Sequence, residues 1–414
     1  MSLMGDILST LFDRRYRASD GTDDQRPIYA LCHDLLSNRG EVTGTVLARG
    51  ILDRYRGFDD DQKRAFFAFL NTEMDIDTDQ ISQALAAYSD DPSKVTYRRF
   101  MDLSEPPRQE LARRLNQVPG ATGQLVAMRK DLLRLVRDDA TLAKLDLDFR
   151  HLFASWFNRG FLVLRPINWS SPAQILEKII AYEAVHAIDS WDDLRLRLQP
   201  EDRRCFAFFH PAMPDEPLIF VEVALTKGIP DSIQDVLMDG RDPLRSDQAN
   251  TAVFYSISNC QDGLAGISFG NSLIKQVAND LARELPQLDT FVTLSPIPKL
   301  AEWLTGEGID AAAQSADRLK AMAARYLLRG KRDDGQPYDP VARFHLNNGA
   351  LVHDVHAGAD TSINGLKQSA GAMVNYRYDL PSVSQNHEAY AINREVIATP
   401  KIRQLARQPL SEKT

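Results

Sequence analysis

The spacing of apolar residues changes once along the chain, near Gly160. From about Pro27 to Arg159, apolar residues recur at intervals of three and four, as in QLVAMRKDLLRLV and FRHLFASWF. This spacing is typical of amphipathic helices, and strand-like alternation is nearly absent from the same stretch. Residues 1–159 are therefore predicted to form an all-helical domain.

After this point, short apolar runs alternate with amphipathic stretches. CFAFFHP and LIFVEVALT flank a turn-rich connection and predict a β-hairpin. Later runs predict a strand, a helix and a strand, namely TAVFYSIS, SLIKQVANDLARELP and TFVTLSP. Residues 160–414 are therefore expected to form an α/β domain with a mixed sheet, which makes the fold class α+β.

Charge and cysteine content narrow the class of protein. The chain has 414 residues and a net charge of -8, which argues against a nucleic-acid binder or a protein held on anionic membranes. Its 3 cysteines form no CxxC pair, so reduced thiols and a cytoplasmic location are expected. No apolar run approaches the length of a membrane span.

A glycine-rich connection precedes one predicted helix. In SISNCQDGLAGISFGNSLIKQV a strand-like run ends, and Gly263, Gly266 and Gly270 lead into the helix. Glycines let the backbone approach a ligand closely, and the start of a helix favours phosphate. The pattern matches neither the dinucleotide motif nor the P-loop, so NAD and ATP are disfavoured. A turn that merely packs the helix on the sheet is the alternative interpretation.

Ser295 ends the strand-like run FVTLSP and has two interpretations. It can cap the following helix, KLAEWL, because serine before proline commonly begins a helix. It can also lie at the end of a sheet strand, where α/β folds tend to bind ligands.

Three histidines lie close together in RFHLNNGALVHDVHAG. His353 and His356 mimic the spacing of metal ligands, but alternation along a strand would point them to opposite faces, so no metal site is predicted. His345 differs because it precedes Asn347-Asn348-Gly349 and should lie near the end of an element. It is either a structural histidine or a proton-transfer group.

Several motifs together are similar to one known family. They are EPLIFVEVALT, FYSIS, LIKQVANDLARELPQLDTFVTLSPIP, FHLNNGA and NYRYDL, in that order along the chain. On these motifs the chain resembles the malonyl-CoA decarboxylases, most strongly from about Phe206 to Leu380. The resemblance implies a helical N-terminal domain and a C-terminal catalytic domain of the GNAT acyl-CoA type.

The resemblance also assigns site residues. It places the family's catalytic serine at Ser295, its catalytic histidine at His345 and a site tyrosine at Tyr378. It places the loop that binds the acyl-CoA phosphates at Ala265, Gly266, Ile267, Ser268, Phe269, Gly270 and Asn271. Eukaryotic members carry an acid where this chain has Ser268, so a loop carboxylate that orients the histidine is not expected here. Those members also carry a peroxisomal tail, and the ending SEKT points instead to a bacterial-type member.

The implied reaction converts malonyl-CoA to acetyl-CoA and CO2, with no metal or organic cofactor. Ser295 is expected to bind the malonyl carboxylate or the thioester oxygen, His345 to protonate the enolate carbon, and Tyr378 to orient the pair. One alternative is a GNAT-type N-acyltransferase, and another is a CoA-binding module without catalysis. The helical domain is expected to mediate self-association into a dimer or tetramer.

Overall fold

The structure is a computed structural model that describes residues 26–37, 40–238, 240–267 and 273–409. The chain forms two compact units. The first extends to Trp156 and includes the later segment Asp262–Ile267, and the second begins at Phe157. The first unit is helical and the second contains a mixed sheet. The predicted α+β class, with a helical N-terminal region and a mixed-sheet C-terminal region, is confirmed.

The first unit is built from amphipathic helices. Their described bounds are α1 Ile28–Ser37, α2 Glu41–Arg56, α3 Asp60–Thr72, α4 Thr78–Asp90, α5 Lys94–Ser104, α6 Pro107–Leu115, α7 Ala121–Leu135 and α8 Ala143–Trp156. Local sequence sets the starts of several of them. Asp59, for example, forms a capping box with Gln62 at the start of α3. Phe66, Leu125 and Phe153 are fully buried in this unit, as the three- and four-residue spacing predicted.

The second unit combines strands with flanking helices. The strands are β1 Val163–Ile167, β2 Arg203–His210, β3 Met213–Thr226, β4 Thr251–Asn259, β5 Thr290–Thr293, β6 Ser295–Pro296, β7 Leu351–His356 and β8 Met373–Arg377. The helices are α9 Ala173–Tyr182, α10 Trp191–Leu198, α11 Ile233–Leu237, α12 Leu273–Glu284, α13 Leu300–Gly306, α14 Ala316–Arg329, α15 Pro340–Asn347, α16 Ile363–Ser369, α17 Val383–Asn393 and α18 Pro400–Leu405. Among the described residues, no helix is long and apolar enough to cross a membrane.

All eight strands belong to one sheet, in the order β1-β2-β3-β4-β5-β8-β6, with β7 paired to β8. The predicted hairpin is confirmed as the antiparallel pair β2 and β3. Its turn is shorter than the sequence suggested, because β3 already begins at Met213. Apolar residues of β3 are buried on both faces: Val221 and Val223 in one core, and Phe220 in another. This burial on both faces explains the continuous apolar run.

The β4 and β5 strands are parallel but remain paired only briefly. Their register runs from Thr251 opposite Thr290 to Phe254 opposite Thr293. β4 then continues to Asn259, whereas the residues after β5 form β6, whose Ser295 pairs with Val374 of β8. The two strands therefore diverge immediately before Ser295.

The start of the glycine-rich connection belongs to the helical unit. An ideal Cβ atom on Gly263 would lie 1.9 Å from the carbonyl oxygen of Val126 in α7. Arg129 of the same helix is almost completely buried and donates from Nη1 to the Gly263 carbonyl oxygen at 2.7 Å. Its Nε donates to Asp146 at 2.7 Å. Only glycine permits this close approach of the two backbones.

We therefore expect Gly263→Ala to lower the free energy of unfolding of this unit by at least about 2 kcal/mol, through overpacking against Val126. Gly50→Ala within α2 is a matched control, because its added Cβ would meet only Leu31, at 4.0 Å. That substitution should stabilise the helix by about 0.5 to 1 kcal/mol. Calorimetric unfolding midpoints would check both changes, and equal midpoints would contradict the tight approach at Gly263.

Candidate active site

Three side chains assigned from the sequence meet in a hydrogen-bonded line within the second unit. Ser295 Oγ lies 3.1 Å from His345 Nε2, and His345 Nδ1 lies 2.8 Å from the Tyr378 hydroxyl. Ser295 begins the short strand β6, His345 is in the last turn of α15, and Tyr378 follows the end of β8. Residues from three separate elements therefore converge, although Ser295 and His345 are 50 positions apart.

The helix that carries His345 is short but well capped. Asp339 accepts hydrogen bonds from the backbone N–H groups of Val341 and Ala342, at 2.9 and 2.8 Å, and Pro340 occupies the first turn. Both features favour the start of a helix. Burial raises the pKa of the Asp339 carboxyl to about 6. The helix ends at Asn347, so His345 does lie near an element boundary, as predicted.

Burial fixes the protonation states of this line. His345 is 2 % exposed, and desolvation lowers the pKa of its imidazole to about 3. Burial also raises the pKa of the Tyr378 phenol well above its usual range. The ring of His345 stacks on Tyr376, with 4.6 Å between centroids. The imidazole and the phenol are therefore both neutral at physiological pH.

Ser295 is a strand residue, not a helix cap. The helix predicted in KLAEWL begins at Leu300 and has Lys299 at its N-cap position. Ser295 instead donates from Oγ to Thr293 Oγ1 at 2.8 Å. The capping interpretation is therefore wrong, because pairing of β6 with β8 holds Ser295 in extended backbone five positions before the helix.

The sequence analysis missed two polar residues that support this line, one by direct contact and one through the first. Thr293 Oγ1 accepts from Ser295 and from the backbone N–H of Tyr376, at 2.8 and 3.1 Å. Asn375 donates from Nδ2 to the Thr293 carbonyl oxygen at 2.8 Å. Thr293 was detectable, because residues two apart on a strand share a face with each other. Asn375 depends on long-range strand pairing, which no local pattern reveals.

The glycine loop is described only in part. Ala265, Gly266 and Ile267 lie in the turn that follows Gly263, and Gly266 has a positive φ of 74°. The assigned residues Ser268, Phe269, Gly270 and Asn271 lie outside the described residues. The helix predicted after them is present as α12, with Leu273, Ile274 and Val277 buried. Phosphate binding by this loop remains a prediction.

The residues of the HDVH run do not share one partner, and His353 Nδ1 has no hydrogen-bond partner within the described part of the chain. His356 Nε2 donates to Asn375 Oδ1 at 2.5 Å, and Asp354 binds Lys401 Nζ at 2.5 Å. An irregularity between Val352 and Asp354 interrupts the strand alternation on which the sequence argument relied. Among the described residues, no three histidine, cysteine or acidic side chains are grouped as metal ligands.

Comparison with known proteins identifies the same family that the sequence motifs resembled. The chain matches the family model of the malonyl-CoA decarboxylase C-terminal domain over residues 160–316 and 307–414. It matches that of the malonyl-CoA decarboxylase N-terminal domain over residues 75–157. The chain belongs to the malonyl-CoA decarboxylase family. The mixed sheet of the second unit therefore lies in the region matched by the C-terminal domain of this family, and its GNAT type remains a prediction.

Individual relatives extend along most of the chain. The malonyl-CoA decarboxylase of Rhodopseudomonas palustris is 47% identical, with a TM-score of 0.87, over 91% of this chain and 98% of that chain. The enzyme of Agrobacterium vitis is 46% identical, with a TM-score of 0.86, over 92% and 100%. The mitochondrial malonyl-CoA decarboxylase of Anser anser anser is 33% identical over 348 residues, which are 72% of this chain and 69% of that protein.

The buried neutral imidazole should make stability depend on pH. The native pKa of His345, about 3, lies below the ordinary value of about 6.5 in the unfolded chain. Between pH 6.5 and 3 the imidazole is protonated in the unfolded chain but not in the native protein. The free energy of unfolding therefore decreases by about 1.4 kcal/mol for each unit by which the pH falls through this range.

When the pH is lowered from 7 to 4, we expect the free energy of unfolding to fall less in the His345→Gln variant than in the unsubstituted protein. Urea unfolding of both proteins at several pH values would measure the difference, because every other titrating group contributes equally to the two curves. Parallel pH dependence would show that His345 titrates normally in the native state.

Proposed function

We propose that the protein converts malonyl-CoA to acetyl-CoA and CO2, without a metal or organic cofactor, through Ser295 and His345. The observation that supports this proposal most directly is the buried line from Ser295 through His345 to Tyr378. It lies where β4 and β5 take different partners, which is the kind of position at which α/β sheets bind ligands. Membership of the malonyl-CoA decarboxylase family supports the choice of substrate.

The reaction makes two demands on the site. Cleavage of the bond to the carboxylate carbon releases CO2 and leaves its electron pair on the thioester as an enolate. The enolate oxygen needs hydrogen-bond donors while its charge develops, and the enolate carbon then needs a proton. The thioester carbonyl accepts the electron pair, so these two demands require no further electron sink.

His345 is suited to supply the proton through Nε2. The Tyr378 phenol keeps its proton, because burial raises its pKa, and donates it to Nδ1 at 2.8 Å. The single ring proton of the neutral imidazole then lies on Nε2, the nitrogen that faces Ser295. An enolate carbon is a far stronger base than the imidazolate left behind, so this transfer is downhill.

Tyr378 replaces the proton that His345 gives to the enolate carbon. As Nε2 gives its proton to carbon, Tyr378 passes its own proton to Nδ1, and solvent restores the phenol after product release. Each turnover thereby consumes one proton, as the conversion of a malonyl carboxylate to an acetyl methyl group requires. Ser295 meanwhile holds the carboxylate or thioester oxygen in the reacting conformation, for which its hydroxyl proton turns from Thr293 to the substrate.

We expect Ser295→Ala and His345→Ala each to lower kcat by about 10² to 10⁴, while CoA affinity changes little. The assay follows CO2 and acetyl-CoA from malonyl-CoA, with no acceptor amine present. Ser382→Ala is a matched control, because Ser382 lies outside the hydrogen-bonded line and contacts Asp379. Turnover of either site variant within a few-fold of the unsubstituted protein would refute the assignment.

The same assay separates the competing functions. A GNAT-type N-acyltransferase would need an amine and would release no CO2 in its absence. A CoA-binding module without catalysis would bind CoA and leave malonyl-CoA intact. Self-association through the helical unit as a dimer or tetramer, and a cytoplasmic location, also remain predictions.

Tyr378→Phe tests how the tautomer is held. Loss of the hydroxyl removes the donor at Nδ1 and the return path for the proton, so kcat should fall by about 10- to 100-fold. Tyr390→Phe is the matched control, because the buried Tyr390 hydroxyl has no hydrogen-bond partner and its removal should leave kcat unchanged. Equal kcat values for the two variants would exclude this role for Tyr378.

A further inference from the structure

Thr293 is the last residue of β5 and is completely buried beside Ser295. Its hydroxyl oxygen accepts one hydrogen bond from the Ser295 hydroxyl at 2.8 Å and another from the Tyr376 backbone N–H at 3.1 Å. A hydroxyl oxygen has two lone pairs, so these two donors use all of its acceptor capacity. The Tyr376 amide cannot turn away, because it belongs to the backbone of β8.

This arrangement decides which way the Ser295 proton points. Ser295 has a single hydroxyl proton, and Thr293 takes it. Towards His345 Nε2, at 3.1 Å, Ser295 then offers only a lone pair. A contact of that length requires a donor on the other side, so the ring proton must lie on Nε2.

The position of Thr293 is itself fixed by a second line of side chains. Asn375 is completely buried and donates to the Thr293 carbonyl oxygen at 2.8 Å. His356 in turn donates to the Asn375 side-chain oxygen at 2.5 Å. The histidine whose spacing resembled a metal ligand thus supports the strand end that carries Thr293.

We infer that Thr293 is a positioning residue, whose hydroxyl draws the Ser295 proton away from His345 and so keeps the imidazole in the tautomer protonated at Nε2. This inference deepens the proposed function and rests on it for the effect on turnover. Its structural part, the tautomer of His345, does not depend on catalysis. Thr293 acts through Ser295 and His345 and need not touch the substrate.

The test compares Thr293→Val, which keeps the shape and loses the hydroxyl, with Thr293→Ser, which keeps the hydroxyl and loses the methyl group. We expect Thr293→Val to lower kcat by about 10- to 100-fold, with KM changed less than about threefold. Thr293→Ser should recover most of kcat. Thr293→Ala compared with Thr293→Ser isolates the hydroxyl even if the valine variant does not fold.

Thr251→Val is the matched control. Thr251 is also a buried sheet threonine, at the opposite end of the β4 and β5 pairing, and its hydroxyl donates to Asn250 at 2.9 Å. Its loss should lower stability without altering kcat. Thermal midpoints measured for every variant separate a general loss of folding from a loss of positioning.

Nitrogen-15 NMR of the histidine side chains gives a readout independent of turnover, with the His345 signal assigned from its absence in His345→Gln. The unsubstituted protein should show the tautomer protonated at Nε2, and Thr293→Val should show a mixture. Protonation at Nδ1 in the unsubstituted protein, or equal kcat in the serine and alanine variants, would overturn the inference. If the tautomer behaves as expected but malonyl-CoA yields no CO2, the proposed function fails and the positioning role stands.

Discussion

The end of the β4 and β5 pairing is the constraint on which the rest of the site depends. Parallel pairing runs only from Thr251 to Phe254 on β4, after which the two strands take different partners. Backbone groups in a buried sheet must still be satisfied, and pairing with β8 does this for Ser295. The break therefore places a serine hydroxyl where two strands of the sheet take different partners, without leaving its own backbone unpaired. Switch points of this kind are where α/β sheets bind ligands.

The site at this break in the strand pairing contains neutral groups whose polar atoms form hydrogen bonds with one another. Desolvation lowers the pKa of His345 and raises that of Tyr378, so neither carries charge. In such surroundings a hydrogen bond to a developing oxyanion is stronger than the same bond in water. In the proposed reaction the substrate carboxylate leaves as uncharged CO2, so its negative charge moves to the thioester oxygen of the enolate. Hydrogen-bond donors held in place by the protein can stabilise the charge there.

Sequence patterns predicted the fold better than the site. The helical and mixed-sheet regions follow from local periodicity, which each element carries in its own residues. The convergence of Ser295, His345 and Tyr378 came from the family resemblance, since local reasoning allowed Ser295 to be a helix cap and His345 to be structural. One contact could not be predicted from local sequence: Asn375 reaches Thr293 only because β8 lies beside β5 and β6 in the sheet.

The direction of two hydrogen bonds distinguishes this arrangement from a nucleophilic serine. In a serine hydrolase the serine donates to a histidine nitrogen, which removes the proton as the oxygen attacks. Here Ser295 donates to Thr293 instead, and in the tautomer inferred above Nε2 of His345 is already protonated. Nε2 therefore has no lone pair with which to activate Ser295, and a covalent acyl-serine would require both bonds to reverse. In this orientation the inferred Nε2–H group of His345 is the hydrogen donor of the pair, which is the property that protonation of an enolate requires.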